Sequence, residues 1–563
     1  MNRPRLLTRH RLVPLALLGA LTLGPACKGK DDPAKQDNPK STDSTNDPAG
    51  KAAPNPAGAS GLVENPTDSP AVAELGEVVA TVQLPSGFKL SDIAAVLDGI
   101  QPGASAMLGL QLPTLLEQAA GFDLAKSAKL DAPLSFVIVN PTSHPQPLAI
   151  LIEAKDAAKL GADAQAAGHA VEQRGDLLLI GPADVVAAAK DFAFTNLVKY
   201  PDHSEIVVYP QPLLAAFSGQ IEQGLANMGG AMAALGTGND GLTGMMRGYV
   251  EGLIAIGNQT QRVVLSVGGK TGSADLIARF YPVDGTVFAS FVAAQKPSDH
   301  ALLAKLPAGD AMMLASGNLE AGAARDAFLD FAIKVITPMY GSGSPDEWMA
   351  MFKPWLDNLD GSFAMAMNMT LPGGAAPAGM QMRTLMGIND AATMRTAWRE
   401  MLVKMTSGPA IELMGMKIVA KHQADVFEHD GVGVDLYSST IDASGLPPDQ
   451  AAAIQAAGTG NQSMHLTAFD KLAAMASADE DGQAMRSLID AARGKGSTLE
   501  VAGQFATVLD GARQRGDSMV MYFDIGTMMA SAPTPPPTMP FRAMSWAVGQ
   551  QQGALSVRVS VIK

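Results

Sequence analysis

The chain has 563 residues, 47% of them apolar and 17% charged, and a formal charge of -14 at neutral pH. That length exceeds one ordinary core and points to two large domains, and the composition excludes a disordered protein. The acidic balance leaves no basic footprint for phosphate backbones, which excludes nucleic acid as a partner and also broad electrostatic adhesion to anionic headgroups.

At the start of the chain Arg3, Arg5, Arg9 and Arg11 precede the apolar run from Leu12 to Leu23. A positive segment followed by an apolar run too short to span a bilayer reads as an export signal, here residues 1–26. Cys27 follows it and is the one cysteine in the sequence, so an internal disulfide framework and a cysteine-clustered zinc site are both excluded. The stretch Leu21-Thr22-Leu23-Gly24-Pro25-Ala26-Cys27 resembles a bacterial lipobox, with Ala26 as its small residue and with Gly24 and Pro25 departing from its usual pattern. The resemblance implies cleavage before Cys27 and a lipid on its sulfur, which would make the membrane a permanent partner. Lys28, where an inner-membrane lipoprotein would carry Asp, implies the outer membrane, with the protein facing the periplasm or the cell surface. The alternative is ordinary signal cleavage after Ala26, leaving a free thiol.

Residues 27–72 are rich in Lys, Asp, Pro, Ser, Thr and Gly and nearly free of large apolar side chains, so they read as a flexible tether. After them a pattern of strands and helices occurs twice. Gly76 to Val82 runs into a turn and a helical pattern over Leu90 to Leu97; Gly309 to Leu314 runs into a turn and a helical pattern over Leu319 to Ile336. Strands at Pro147 to Glu153 and Met380 to Met386 each lead to an aspartate, Asp156 and Asp390, placed to N-cap the next helix. Hairpins follow around Gly175 and Gly431, then strands at Ser204 to Tyr209 and Ser518 to Phe523. Each series closes on a strand pair, Arg262 to Val267 with Ala274 to Tyr281, and Ala543 to Val548 with Ala554 to Ile562. The predicted fold is α+β: two pseudo-repeated halves, 73–296 and 297–563, each mainly antiparallel sheet with helices packed on one face. In the last strand Leu555, Val557, Val559 and Val561 alternate with Ser556, Arg558 and Ser560, which predicts a buried apolar face and a wetted polar one.

Ser86-Gly87-Phe88-Lys89, Lys270-Thr271-Gly272 and Ser316-Gly317-Asn318 together resemble the motifs of penicillin-binding proteins and serine β-lactamases. The resemblance implies a serine acyl-enzyme acting on cell-wall peptides. In that family, however, the S-x-N element lies between the other two, and here it comes last. Ser86 and Ser316 also fit strand-to-helix turns, and Lys270-Thr271-Gly272 fits a turn between strands. Gly236-Thr237-Gly238-Asn239-Asp240-Gly241 matches a dinucleotide fingerprint but follows a helical stretch, Leu213 to Leu235, so it reads as a helix end and loop; Gly458-Thr459-Gly460-Asn461 reads likewise. His422, Asp425, Glu428, His429 and Asp430 have metal-ligand character, but on an extended strand they diverge to opposite sides. No cofactor is implied.

Ser344-Pro345-Asp346-Glu347 is a capping box opening a helix whose Trp348, Met351, Phe352 and Trp355 share one stripe. That stripe is either core packing or an apolar groove for a hydrophobic ligand or an envelope protein. In length, leader, duplicated pattern and lack of a catalytic motif, the chain resembles the large uncharacterised lipoproteins of Gram-negative envelopes. The resemblance implies a non-catalytic binding or scaffolding role.

Overall fold

The computed structural model describes residues 75–84, 132–198, 204–234, 240–270, 273–319, 345–370, 379–407, 411–413, 416–446, 451–452, 461–479, 481–530 and 541–562, with isolated positions from 122 to 129. Cys27, the tether, Ser86, Lys89, Thr271, Gly272, the loops around Gly236 and Gly458, the stretch from Glu320 to Ser344 and the Pro533 to Pro537 run lie outside the described residues.

The first half supplies strands β1 (Val78–Leu84), β2 (Leu134–Val139), β3 (Leu148–Glu153), β4 (Ala170–Arg174), β5 (Leu177–Gly181), β6 (Glu205–Val208), β7 (Thr260–Lys270) and β8 (Ser273–Pro282). Its helices are α1 (Ala157–Ala166), α2 (Ala183–Asn196), α3 (Pro210–Ala234), α4 (Asp240–Asn258) and α5 (Val287–Ala293). The second half supplies β9 (Met313–Asn318), β10 (Leu359–Thr370), β11 (Gly379–Ile388), β12 (Ile411–Leu413), β13 (Met416–His429), β14 (Val432–Asp442), β15 (Asn461–Phe469), β16 (Leu472–Ser477), β17 (Met519–Asp524), β18 (Ala543–Gln551) and β19 (Ala554–Ile562). Its helices are α6 (Pro345–Asp357), α7 (Ala391–Ser407), α8 (Gln483–Ala492), α9 (Gly503–Arg515) and α10 (Ile525–Ala530).

The chain is α+β, and all 19 strands join one antiparallel sheet. Its middle is the pairing of β8 with β19. Outward from that seam the first half runs β8, β7, β6, β1, β2, β3, β5, β4. On the other side the order is β19, β18, β17, β9, β10, β11, β16, β15, and then β14, β13, β12. Right-handed twist accumulates over so many strands, and a sheet of this width coils instead of lying flat.

The sequence pairs the Gly175 hairpin with the Gly431 hairpin. In the sheet, β4–β5 instead holds the same place as β15–β16, whose turn is at Asp470, and β13–β14 is an additional ribbon further out. Both glycine hairpins do turn where positive φ is needed, Gly175 at 63° and Gly431 at 77°.

Asp156 and Asp390 sit at the strand-to-helix junctions their spacing predicts. Asp156 accepts from the Lys159 amide at 2.9 Å and Asp390 from the Thr393 amide at 2.7 Å, opening α1 and α7. Strands β3 and β5 beside Asp156 read as near-continuous apolar runs because both of their faces are covered. Ile150, Ile152, Leu178 and Ile180 pack under α1 through Leu160 and Ala164, whereas Ala149, Leu151 and Leu179 pack under α2 through Val185, Ala189 and Phe192. The strands beside α7 are likewise covered on both faces. Ala473, Leu466 and Ile388 lie under α7 through Met394 and Trp398, and Leu472, Ala474 and Leu385 lie under α8 and α9 through Met485, Leu488 and Phe505. Helices therefore cover both faces in the outer strands, so the predicted single helical face is too simple there. For reference below, face A is the side carrying α1 and α7, and face B the side carrying α2, α8 and α9.

Candidate functional site

The central strands reverse the burial predicted for β19. Ser556 and Arg558 are buried, while Leu555, Val557, Val559 and Val561 on the opposite side are half-exposed. Alternation tells which residues share a face, not which face is covered. Here the covered one is face B, and its polar groups are partnered: the Arg558 guanidinium donates to Asp275 Oδ2 at 3.0 Å. Ser545, Arg279, Val520 and Tyr522 share that buried side.

On face A the register builds long apolar ranks. One runs Thr384, Met365, Ala315, Met521, Trp546, Val559, Leu276 and Val267 across eight strands. The rank on one side of it runs Met382, Met367, Met313, Phe523, Met544, Val561 and Ala274; the rank on the other runs Met386, Phe363, Gly317, Met519, Val548, Val557, Ala278 and Leu265. Eight strands at about 4.8 Å spacing span roughly 34 Å. None of these positions carries a charge, and Thr384 is their one polar side chain. Most are half-exposed, and Leu276 is 46% exposed. Apart from Met386, none joins a hydrophobic cluster of the described residues. The floor is bounded on face A: α7 and α6 stand on the β11 side, and α1 stands on the side of β3 and β5. An apolar floor of this size, rimmed by helices, marks an interaction site.

The stripe of α6 splits. Trp355 packs against the cluster of Ile388, Met394 and Trp398, Met351 and Phe352 are half-buried, and the Trp348 side chain lies outside the described residues. Trp355 is thus part of the wall that flanks the floor. Trp546 and the methionines at 519, 521 and 544 are missed by sequence reasoning. The signal for them is the alternation of Met519, Met521 and Phe523 with Val520 and Tyr522, which resembles any half-buried strand.

The serine motifs fall apart. Ser316 and Gly317 lie inside β9 and not in a turn. The Ser316 hydroxyl is buried and donates to the Phe363 carbonyl at 3.0 Å. The strand continues through Gly317 because β17 passes so close that a Cβ there would meet the Ser518 carbonyl at 2.7 Å. Lys270 ends β7, paired with Ser273 across the two-residue link.

The ligand-like residues of β13 do not simply alternate: Asp425 is left-handed at φ 50° and the register shifts between Gln423 and Phe427, so His422 and Asp425 reach the same Arg399–Asp435 group, while His429 and Asp430 bond elsewhere. His422 faces Asp435 at 3.2 Å, Asp425 accepts from Arg395 at 2.6 Å, His429 faces Asp490 at 2.8 Å and Asp430 accepts from Arg493 at 2.8 Å. Arg399 makes a two-pronged contact with Asp435 at 2.8 and 2.6 Å, tying the outer ribbon to α7. Burial is the largest single influence and raises the Asp435 pKa, but the hydrogen bonds from Arg399, the Asp425 amide and His422 together with the Arg399 charge outweigh it, and the net direction is down. Among the described residues no group of three or more His, Cys, Asp or Glu side chains could hold a metal ion.

A second concavity of about 400 Å³ lies on face B at the start of α9, lined by Asp310, Glu500, Gln504, Tyr522, Asp524 and Arg542 among others. Burial, and then the nearby Asp524, push the Tyr522 phenol up, so it stays neutral. Its Oη–Gln504 Oε1 separation of 3.4 Å is a weak bond.

No protein-family profile and no curated protein matches this chain. Two crystal forms of TP0453 are similar to it. Form III is 10% identical with a TM-score of 0.24, covering 47% of this chain and 79% of TP0453. Form IV is 9% identical with a TM-score of 0.25, covering 49% and 94%. Likeness at that level carries no argument about fold or function.

Proposed function

We propose that this chain is a membrane-anchored lipoprotein of the bacterial envelope that binds and does not catalyse. The lipid sits on Cys27, residues 27–72 hold the folded part away from the bilayer, and the anchor is in the outer membrane. The halves 73–296 and 297–563 descend from one duplicated unit, and their matching strand order about the β8–β19 seam supports that. The observation that carries the binding role is the half-exposed apolar floor of face A, eight strands wide and free of charge. Its occupant is a hydrophobic ligand or an apolar surface of an envelope protein. No described helix is long and apolar enough to cross a membrane. Attachment in this reading therefore rests on Cys27.

Two measurements test it. Metabolic palmitate labelling should be lost in Cys27→Ser, and that variant should move from the membrane fraction to the soluble fraction without unfolding. The purified, folded chain should also bind an anilinonaphthalene dye at neutral pH, with binding weakened by Val559→Asp. Absence of dye binding would remove the binding role. A β-lactam or fluorophosphonate probe should label no serine, and stoichiometric labelling lost in Ser86→Ala would install acyl transfer in its place.

A further inference from the structure

We propose that the occupant of face A is the acyl chains of a single phospholipid drawn from the bilayer, an inference that rests on the binding role above. The chemistry of the floor selects this class. A peptide strand or protein loop laid across three ranks without charge would bury its own amides against side chains that cannot answer them, each at the cost of an unsatisfied polar group. Acyl chains make no such demand. The lining also matches a ligand of variable shape: Met313, Met365, Met367, Met382, Met519, Met521 and Met544 bring flexible, polarizable thioethers that refill irregular gaps.

Geometry argues against a second copy of the chain. Face A carries α1 at one end and α6 with α7 at the other. A helix with side chains is about 10 Å across, so the floor is recessed by that depth. Two sheets pack at about 10 Å, and a partner sheet as wide as this one would strike the helices before reaching that distance. Narrow, deformable chains reach the floor freely. Its width of roughly 34 Å exceeds the acyl layer of one leaflet, about half of the roughly 30 Å hydrocarbon core, so an extended chain lies along it, and three ranks spaced two residues apart span roughly 13 Å, enough for two chains side by side. Trp546 sits mid-rank between Met521 and Val559 and is a built-in reporter.

The test uses the whole chain carrying Cys27→Ser, so that its own anchor cannot report. It is incubated with vesicles of phosphatidylethanolamine and phosphatidylglycerol in which one acyl chain is dibrominated, and the vesicles are then removed by sedimentation. The supernatant protein should retain about one phospholipid per chain, with part of its tryptophan fluorescence quenched and that part absent in Trp546→Phe. Val559→Asp and the milder Met521→Gln should lower retained phospholipid, the first at least tenfold, with far-ultraviolet circular dichroism unchanged. Protein free of phospholipid, or phospholipid retained without quenching of Trp546, overturns the proposal. So does capture of free dibromostearate without phospholipid, or a lipid-free dimer in sedimentation. Dye binding without phospholipid would sink this inference and leave the broader binding role standing, whereas loss of both would sink the two together.

Discussion

The two faces of the central strands use their residues in opposite ways. Face B buries Arg558, Ser545 and Ser556 with Asp275 half-buried beside them; face A leaves valine, methionine and tryptophan half in water. A protein built for stability alone would turn these strands over. Burying Arg558 takes an ion out of water and is tolerable because Asp275 meets it at 3.0 Å. Leaving Met521, Trp546 and Val559 half-exposed forgoes hydrophobic stabilisation, and an interaction surface is the usual reason a fold does so. What the contrast teaches is that the apolar side is held open by the fold and not by a shortage of polar residues to cover it.

Three perturbations sharpen or break this contrast. The largest effect should come from Arg558→Ala, which strands Asp275 as a buried charge and should cost about 3–5 kcal/mol in urea unfolding. A loss under about 1 kcal/mol would mean that face B is wet there. Next is pH. Burial first, and then the nearby Arg513, lower the pKa of His300 from 6.5 to about 4, on the face-B side of the sheet. A depressed histidine leaves stability intact above pH 6.5 and drains it as pH falls towards 4, because the unfolded chain takes the proton first. At about 1.4 kcal/mol per unit the drain approaches roughly 3 kcal/mol, and His300→Leu should abolish that part of the acid profile. A variant whose stability falls with pH as steeply as the parent's would refute it. The smallest effect compares two methionines. Met485→Ala, in the fully buried cluster under α8, should cost about 2–5 kcal/mol, whereas Met521→Ala on the floor should cost under about 1.5 kcal/mol because it leaves no enclosed cavity. Equal costs would show that face A is a closed core.

Much of the architecture was legible in the sequence. Short apolar runs located β3, β7, β8 and β18, period-two alternation located β19, and the aspartates at 156 and 390 were readable as caps because an Asx side chain satisfies free amides by local geometry alone. What sequence could not give was covering. The alternation in β19 divides Val557 from Arg558 but is silent on which side meets a helix, since Arg558 needs a partner 283 positions away to be buried. Ser316 and Gly317 read as a turn for a related reason: small residues suit turns and equally suit a strand squeezed between β10 and β17. The outer ribbon misled by likeness, because a glycine hairpin at Gly431 has the same local grammar as the one at Gly175 while its sheet neighbours differ. The α6 stripe was found, but Trp355 belongs to the wall beside the floor, and the floor itself is spread over strands no local pattern links.

The seam between β8 and β19 also sets a timetable. During synthesis the N-terminal segment emerges first, and its strand β8 appears with an open edge and an apolar flank of Leu276 and Phe280. Its partner lies more than 270 residues downstream, so the edge stays unpaired until nearly all of the chain has been made. Unpaired apolar edges of this kind seed aggregation, and pairings so distant in sequence form late. Folding of this chain therefore carries an interval of exposure that lasts until the last strand of the sequence is made.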